Sequence, residues 1–231
     1  GEAPKCSVGV DVALQTGAEL ILSRGCRSDN DDQPSTFWGP QISVEDSTQW
    51  TLGTAGYDLY GGSPGVALAL SASERRLRTG ECGEFAGTVF EPISHQILDN
   101  LISDGTYGIG GYMGVAGTLW AVVWDRRLRD LNYGDIAVKS LNKLSQNIEG
   151  KNSADFVVGQ SGALAVAVNL ARMCSDIGID VSEVMETIVS YSLPVLEKDF
   201  RKGWIGTSES NHYSGFAHGL AGNMASVAAA T

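Results

Sequence analysis

The sequence predicts an all-α fold in which helices are paired and the pairs form a ring. Three observations support it. The motif G-x-x-G occurs four times, with its first glycine at Gly62, Gly114, Gly159 and Gly219. Each copy precedes an apolar run of small residues without a polar face, which is typical of a helix buried on nearly all sides. Between the copies, apolar residues recur every three to four positions, which indicates amphipathic surface helices.

The predicted elements alternate along the chain. An amphipathic helix over residues 9–24 comes first, around Val12, Leu20 and Ile21. The other amphipathic helices are predicted over residues 84–103, 135–149 and 181–199. Their apolar stripes are Phe85, Val89, Ile93, Ile97 and Leu101; Ile136, Leu141, Leu144 and Ile148; and Val181, Val184, Ile188, Tyr191 and Val195. With a buried helix starting at or just after each first glycine, the chain should contain four pairs.

Residues 28–56 depart from this alternation. The segment begins with the acidic, turn-rich run Asp29–Ser35, and Trp38 and Trp50 flank short apolar alternations. We expect a long connection on one face of a single domain that spans residues 1–231, with a small hairpin that accounts for most of the strand content. Connections of this length are often functional.

The repeat length admits two architectures. The first glycines are 52, 45 and 60 residues apart, and a period near 50 built from helix pairs suits an open solenoid or a ring with an inner barrel and an outer belt. The glycines favour the ring. Helix N-termini crowd together at the narrow end of an inner barrel, where residues without a Cβ allow close approach and turns with positive φ.

Charge and cysteine usage exclude several classes of function. The net charge is −11, which repels nucleic-acid backbones and anionic membrane surfaces, and no apolar run approaches the roughly 18 to 20 residues that span a bilayer. The four cysteines, Cys6, Cys26, Cys82 and Cys174, lie far apart. This spacing predicts reduced thiols in the cytoplasm. The start at Gly1 and the uncapped Ala-rich end suggest a piece of a longer protein.

Two of the glycine motifs are longer than G-x-x-G. Tyr57–Gly65 contains D-x-x-x-G-x-x-G, and Ser214–Gly222 contains G-x-x-H-G-x-x-G. Both segments resemble the lanthionine cyclase family. With Trp38-Gly and Trp50-Thr-Leu upstream, the chain looks most like the C-terminal cyclase region of class II lanthipeptide synthetases, over about residues 10–231. The resemblance implies an α,α-toroid, of whose usual seven helix pairs about four are present. It implies a bacterial enzyme that adds peptide Cys thiols to dehydroalanine or dehydrobutyrine, forming thioether rings.

The resemblance also implies site residues. His218 matches the family's acid/base histidine, and a histidine near neutral pH suits protonation of the enolate that thiol addition creates. Asp58 matches an aspartate that orients the histidine or the substrate, although a carboxylate there is also a common helix cap. Asp155 precedes Gly159 as Asp58 precedes Gly62, but no histidine accompanies its motif, so we expect a structural role. His212 and Tyr213 could line the cavity and bind substrate.

The family's zinc ion is expected for the complete domain. The resemblance places its ligands in later repeats, beyond Thr231, so this chain should contain no metal ligands and be inactive alone. The expected partners are a dehydrated precursor peptide and either the rest of the parent synthetase or another copy that completes the ring.

The sequence is also compatible with two other functions. Glycan-processing helical barrels use paired carboxylates, which Asp58 and Asp155 could supply, although only 8% of the chain is aromatic, whereas glycan clefts usually carry many aromatic residues. A peptide-binding scaffold of this family without catalysis would use the cavity alone.

Overall fold

The computed structural model describes residues 7–42, 49–99, 108–204, 216–218 and 220–230. The eight helices of this part are α1 (Ser7–Leu22), α2 (Ser63–Leu77), α3 (Glu81–Leu98), α4 (Val115–Leu128), α5 (Gly134–Ile148), α6 (Gln160–Ser175), α7 (Ser182–Trp204) and α8 (Leu220–Ala230). The strands are β1 (Gly25–Cys26), β2 (Thr36–Ile42) and β3 (Trp50–Thr54). The predicted alternation is confirmed, and α2, α4, α6 and α8 each start directly after the first glycine of a G-x-x-G.

The helices form two series. The inner helices pack successively, α2 on α4, α4 on α6 and α6 on α8, while the outer helices α1, α3, α5 and α7 also contact one another in chain order. Helix α6 touches α4, α5, α7 and α8. Its residues Ala163, Leu164, Ala167 and Leu170 are accordingly 0% exposed. A helix with neighbours on so many sides has no room for a polar face, which explains its uninterrupted run of small apolar residues.

The buried faces of the outer helices α3 and α5 match the apolar stripes predicted from the sequence, whereas those of α1 and α7 differ from the prediction. Helix α3 buries Phe85, Val89, Ile93 and Ile97, and α5 buries Leu141, Leu144 and Ile148. In α1, however, Val12 and Leu20 are 60% and 53% exposed, and Ala18 is buried instead.

Helix α7 likewise buries Ile188, Ser192 and Leu196, while Tyr191 is exposed. The contact face therefore follows i, i+4 spacing, and the predicted position of Tyr191 on it was wrong.

The segment over residues 28–56 contains the predicted hairpin. Strands β2 and β3 pair antiparallel with Trp38 opposite Thr54, and β1 adds to the other edge of β2. The Phe37 ring packs on Phe85 of α3 with centroids 5.3 Å apart. The Thr36 hydroxyl lies 3.0 Å from the Ser63 hydroxyl at the start of α2. These contacts attach the hairpin to α2 and α3.

Close backbone approach explains the second glycine of each motif. A Cβ at Gly162 would collide with the Phe156 carbonyl oxygen, and one at Gly65 would collide with that of Leu59. The carbonyl six residues before the glycine thus lies against its Cα in both repeats, and the same contact recurs at Gly117 and Gly222. Close approach is therefore the role that the structure gives these glycines, and positive φ is found at Gly80, Gly150 and Gly178 instead.

No described helix is both long and apolar enough to cross a bilayer.

Candidate functional site

Four short loops meet at the N-terminal ends of the inner helices. We call them motif loops 1 to 4; they cover residues 58–61, 110–113, 155–158 and 216–218, each ending directly before the first glycine of a G-x-x-G. Since the loops share this anchor, equivalent positions can be counted back from the glycine. His218, Val158, Met113 and Gly61 occupy the last position, and Asp155 and Asp58 the fourth from the glycine.

One backbone hydrogen bond recurs between successive loops. The N–H two residues before the glycine donates to the carbonyl at the same position in the next loop. The bonds run from Tyr60 to Tyr112 at 3.2 Å, from Tyr112 to Val157 at 3.2 Å and from Val157 to Ala217 at 3.3 Å. This repeated bond holds the four loops in a common register, so equivalent positions are expected to have equivalent neighbours in the adjoining loop.

His218 of motif loop 4 is bonded to Asp155 of motif loop 3. The distance from His218 Nδ1 to Asp155 Oδ2 is 2.7 Å. A carboxylate only accepts hydrogen bonds, so we assign the proton to Nδ1, which leaves Nε2 on the opposite edge of the ring. The Asp155 side chain is 17% exposed and that of His218 is 57% exposed. A largely buried carboxylate therefore orients an imidazole that is more than half exposed.

The Asp155 carboxylate is itself held by its own loop. Its Oδ1 accepts a hydrogen bond from the Val158 N–H at 2.8 Å, and its backbone carbonyl accepts one from the Gly159 N–H at 3.0 Å. Both carboxylate oxygens thus have partners, one inside motif loop 3 and one in motif loop 4. The expectation that Asp155 lacks a companion histidine was wrong, because the companion comes from the following repeat.

Asp58 has the same local structure without that companion. Its Oδ1 accepts a hydrogen bond from the Gly61 N–H at 2.7 Å, which matches the bond from Val158 to Asp155. Among the described residues, the carboxylate that hydrogen bonds to His218 is Asp155 and not Asp58.

The family model for lanthionine synthetase C-like proteins matches residues 53–231. This range covers most of the chain and includes all four motif loops. The chain belongs to this family. Lanthionine synthetase C-like proteins fold as α/α toroids, and the inner and outer helix series described above agree with that architecture. A search of curated proteins finds no match to the chain.

Family members typically bind zinc, and the described residues of this lanthionine synthetase C-like chain do not fit a zinc site. Across residues 7–42, 49–99, 108–204, 216–218 and 220–230, no three His, Cys, Asp or Glu side chains cluster as metal ligands. Cys82 and Cys174 are buried free thiols. Burial raises the pKa of both, which disfavours the thiolate that zinc requires. The placement of zinc ligands beyond Thr231 stays a prediction.

His212 and Tyr213, the predicted substrate-binding residues, lie outside the described residues.

An aromatic cluster beside the His218–Asp155 pair was not predicted from the sequence. The Phe156 ring lies 5.9 Å from the Tyr112 ring and 4.7 Å from the Phe216 ring, centroid to centroid. These residues come from motif loops 3, 2 and 4. Position-by-position alignment of the four motifs would have placed Phe156 and Phe216 in one column, three residues before the glycine. The same alignment would have placed His218 one loop after Asp155.

Proposed function

We propose that this chain supplies the proton-transferring residues of a lanthionine-forming cyclase. The reaction adds the thiol of a peptide cysteine to a dehydroalanine or dehydrobutyrine of the same peptide and closes a thioether ring. Family membership supports the reaction class. The observation that carries the assignment to particular residues is the 2.7 Å contact between His218 Nδ1 and Asp155 Oδ2.

The pair can move one proton through both halves of the reaction. Nε2 of neutral His218 takes the proton from the thiol, and the sulfur forms a bond to Cβ of the dehydro residue. The electron pair of the Cα–Cβ double bond moves towards the carbonyl and forms an enolate. The imidazolium then returns its proton from Nε2 to Cα, which completes the addition of S–H across the double bond. A positioned acid or base typically contributes about 10² to 10⁴-fold to such a step.

Asp155 acts as a positioning residue in this scheme. Its Oδ2 keeps the proton on Nδ1 and stabilises the imidazolium while the enolate exists. The sequence prediction gave Asp58 the role of orienting either the histidine or the substrate. Because Asp155 orients the histidine in this scheme, we propose that Asp58 contacts the peptide substrate.

The finer assignments are also part of this proposal. We place the chain in the cyclase region of the class II synthetases. It contributes about four of the seven helix pairs of the toroid, and the zinc ion is held by residues outside those described. Its partners are the dehydrated precursor peptide and either the remaining repeats or another copy.

The glycan-processing alternative receives no support from the site. Asp155 uses both carboxylate oxygens on Val158 and His218, whereas glycosidases pair two carboxyl groups across the scissile bond.

The test is single-turnover cyclisation of a dehydrated peptide by the full-length protein, followed by thiol alkylation and mass spectrometry. His218→Ala should lower the rate of ring formation about 10² to 10⁴-fold with unchanged folding. His95→Ala is the matched control, because His95 is an exposed histidine on α3, and it should leave the rate unchanged. A wild-type rate in His218→Ala would remove the catalytic assignment and leave this histidine as part of the fold.

A further inference from the structure

Exposed apolar side chains are concentrated in the motif loops. Fourteen large hydrophobic residues are exposed in the described part of the chain, and five of them lie in these loops. We call these five the apolar rim; they are Tyr60, Tyr112, Met113, Val158 and Phe216, with exposures between 38% and 76%. Singly scattered apolar residues are normal on a protein surface, but a group of them in short adjoining loops indicates an interaction site.

Two residues of the apolar rim occupy the same motif position as His218. Met113 and Val158 each stand directly before the first glycine of their motif. The Val158 N–H and His218 Nδ1 bind the two oxygens of a single carboxylate, that of Asp155, at 2.8 and 2.7 Å. The Met113 N–H in turn donates to the Val157 carbonyl at 3.0 Å. These bonds place Met113, Val158 and His218 in consecutive, connected loops.

Aromatic residues lie close in sequence to both members of the His218–Asp155 pair. Phe216 precedes His218 by two residues, and Phe156 directly follows Asp155. The Phe156 ring contacts both Phe216 and Tyr112. Apart from His218, the charged side chains of the described motif-loop residues are the two carboxylates Asp58 and Asp155. The surroundings of the pair therefore suit an apolar ligand group.

We propose that the apolar rim binds an apolar side chain next to the reacting residue of the peptide, an inference that rests on the proposed function. Consecutive Cα atoms are 3.8 Å apart across a trans peptide bond. A dehydro residue at His218 Nε2 therefore brings its neighbours to the loops that carry Met113, Val158 and Phe216. The rim selects peptides in which these neighbours are apolar, because only an apolar group gains free energy by leaving water there.

The test measures binding and does not require catalysis. Two dye-labelled pentapeptides without cysteine carry a central dehydroalanine, flanked on both sides by leucine in one and by serine in the other. Fluorescence anisotropy gives their Kd values for the 231-residue chain. The leucine peptide should bind about tenfold more tightly, the low end of the range for burial of a leucine side chain, because the rim remains partly exposed.

Near-isosteric polar substitutions test the rim directly. The double variant Met113→Gln with Val158→Thr should reduce the preference for leucine to about twofold or less, with an unchanged circular dichroism spectrum. Met224→Gln is the matched control, since Met224 is an exposed methionine on α8, and it should keep the preference. The inference is overturned if the wild-type chain binds neither peptide or both equally, or if the preference survives in the double variant.

The binding test also separates this inference from the proposed function. His218→Ala should retain the preference for leucine while it loses ring formation. An intact preference together with wild-type ring formation in His218→Ala would leave the rim as a peptide-binding surface and remove the proposed chemistry. If sedimentation instead shows that the double variant abolishes self-association without changing either Kd, the rim is a contact between copies, and the inference is wrong.

Discussion

Motif loops 1 and 3 have the same local structure and different surroundings. In each, an aspartate four residues before the glycine accepts a hydrogen bond from the N–H three residues later, Gly61 for Asp58 and Val158 for Asp155. In each, the following G-x-x-G lies against a loop carbonyl. Only Asp155 receives a histidine from the next loop.

In both loops the aspartate has a structural role, whether or not a histidine is present. Its first oxygen closes the loop in either repeat, and its second oxygen remains available for a neighbour. Because the loops are held in register by the bonds from Tyr60, Tyr112 and Val157, the residue before the next glycine decides what that neighbour is. After motif loop 1 this residue is Met113, and after motif loop 3 it is His218.

The largest expected effect separates the two aspartates by activity. Asp155→Asn should lower kcat for ring formation about 10²-fold with little change in KM, because an amide can donate to Nδ1 and stabilise the wrong tautomer of His218. Asp58→Asn should leave kcat within about threefold and act mainly on KM. Both are measured with the full-length protein and a dehydrated peptide. Equal losses of kcat would refute the functional difference between the two loops.

The second effect concerns what the two loops share. Gly65→Ala and Gly162→Ala should each lower the free energy of unfolding by about 1 to 3 kcal/mol, because the new Cβ meets a backbone carbonyl that cannot move aside. Gly17→Ala is the control. Gly17 lies inside α1 with nothing within 4 Å of a Cβ, so alanine should raise the free energy of unfolding by about 0.5 to 1 kcal/mol.

Urea unfolding followed by circular dichroism measures all three glycine variants. If Gly162→Ala is as stable as Gly17→Ala, the close approach described for these motifs is wrong.

The repeat architecture was predictable because its signals are local. Four glycine motifs and the apolar runs after them place the starts of α2, α4, α6 and α8, since backbone contact excludes a Cβ at each motif wherever the repeat occurs. The faces of α1 and α7 were less predictable. Val12, Leu20 and Tyr191 fit a helical period, but tertiary contacts decide which of several adjacent apolar faces is buried.

The site was predictable one residue at a time, and the pairing within it was not. His218 stands out by its motif, and Asp58 stands out because its motif resembles the family's. The contact from His218 to Asp155 joins residues 63 positions apart and depends on how successive loops align. Alignment of the four motifs shows that His218 comes one loop after Asp155. The register that brings the two side chains together is set by backbone hydrogen bonds between Tyr60, Tyr112, Val157 and Ala217, and residue type does not specify these bonds.

A histidine placed in motif loop 2 tests whether motif loops 1 and 2 have the same register as motif loops 3 and 4. Met113→His should create beside Asp58 the pair that His218 forms with Asp155, because Met113 follows Asp58 as His218 follows Asp155. The neighbouring carboxylate should raise the pKa of the new imidazole, and the rise should be modest because Met113 is 45% exposed. Adding Asp58→Asn should abolish the rise.

Nuclear magnetic resonance titration of the imidazole protons measures this pKa, with Leu131→His as an exposed reference elsewhere on the chain. A new imidazole that titrates like the reference would show that the loops are not equivalent in register.

The smallest expected effect is an equality. Asp58→Ala and Asp155→Ala each remove one hydrogen bond from a loop N–H, that of Gly61 or that of Val158. Each should lower the free energy of unfolding by about 0.5 to 1.5 kcal/mol, the usual net contribution of one such bond.

Asp155→Ala also removes the contact with His218, but that histidine is 57% exposed, so water replaces the lost partner at little cost. Urea unfolding should therefore give the two variants the same midpoint within error, although only Asp155→Ala loses ring formation. A much larger loss of stability in Asp155→Ala would mean that the contact with His218 holds motif loops 3 and 4 together. A functional role for that contact would then be supported by the activity measurement alone.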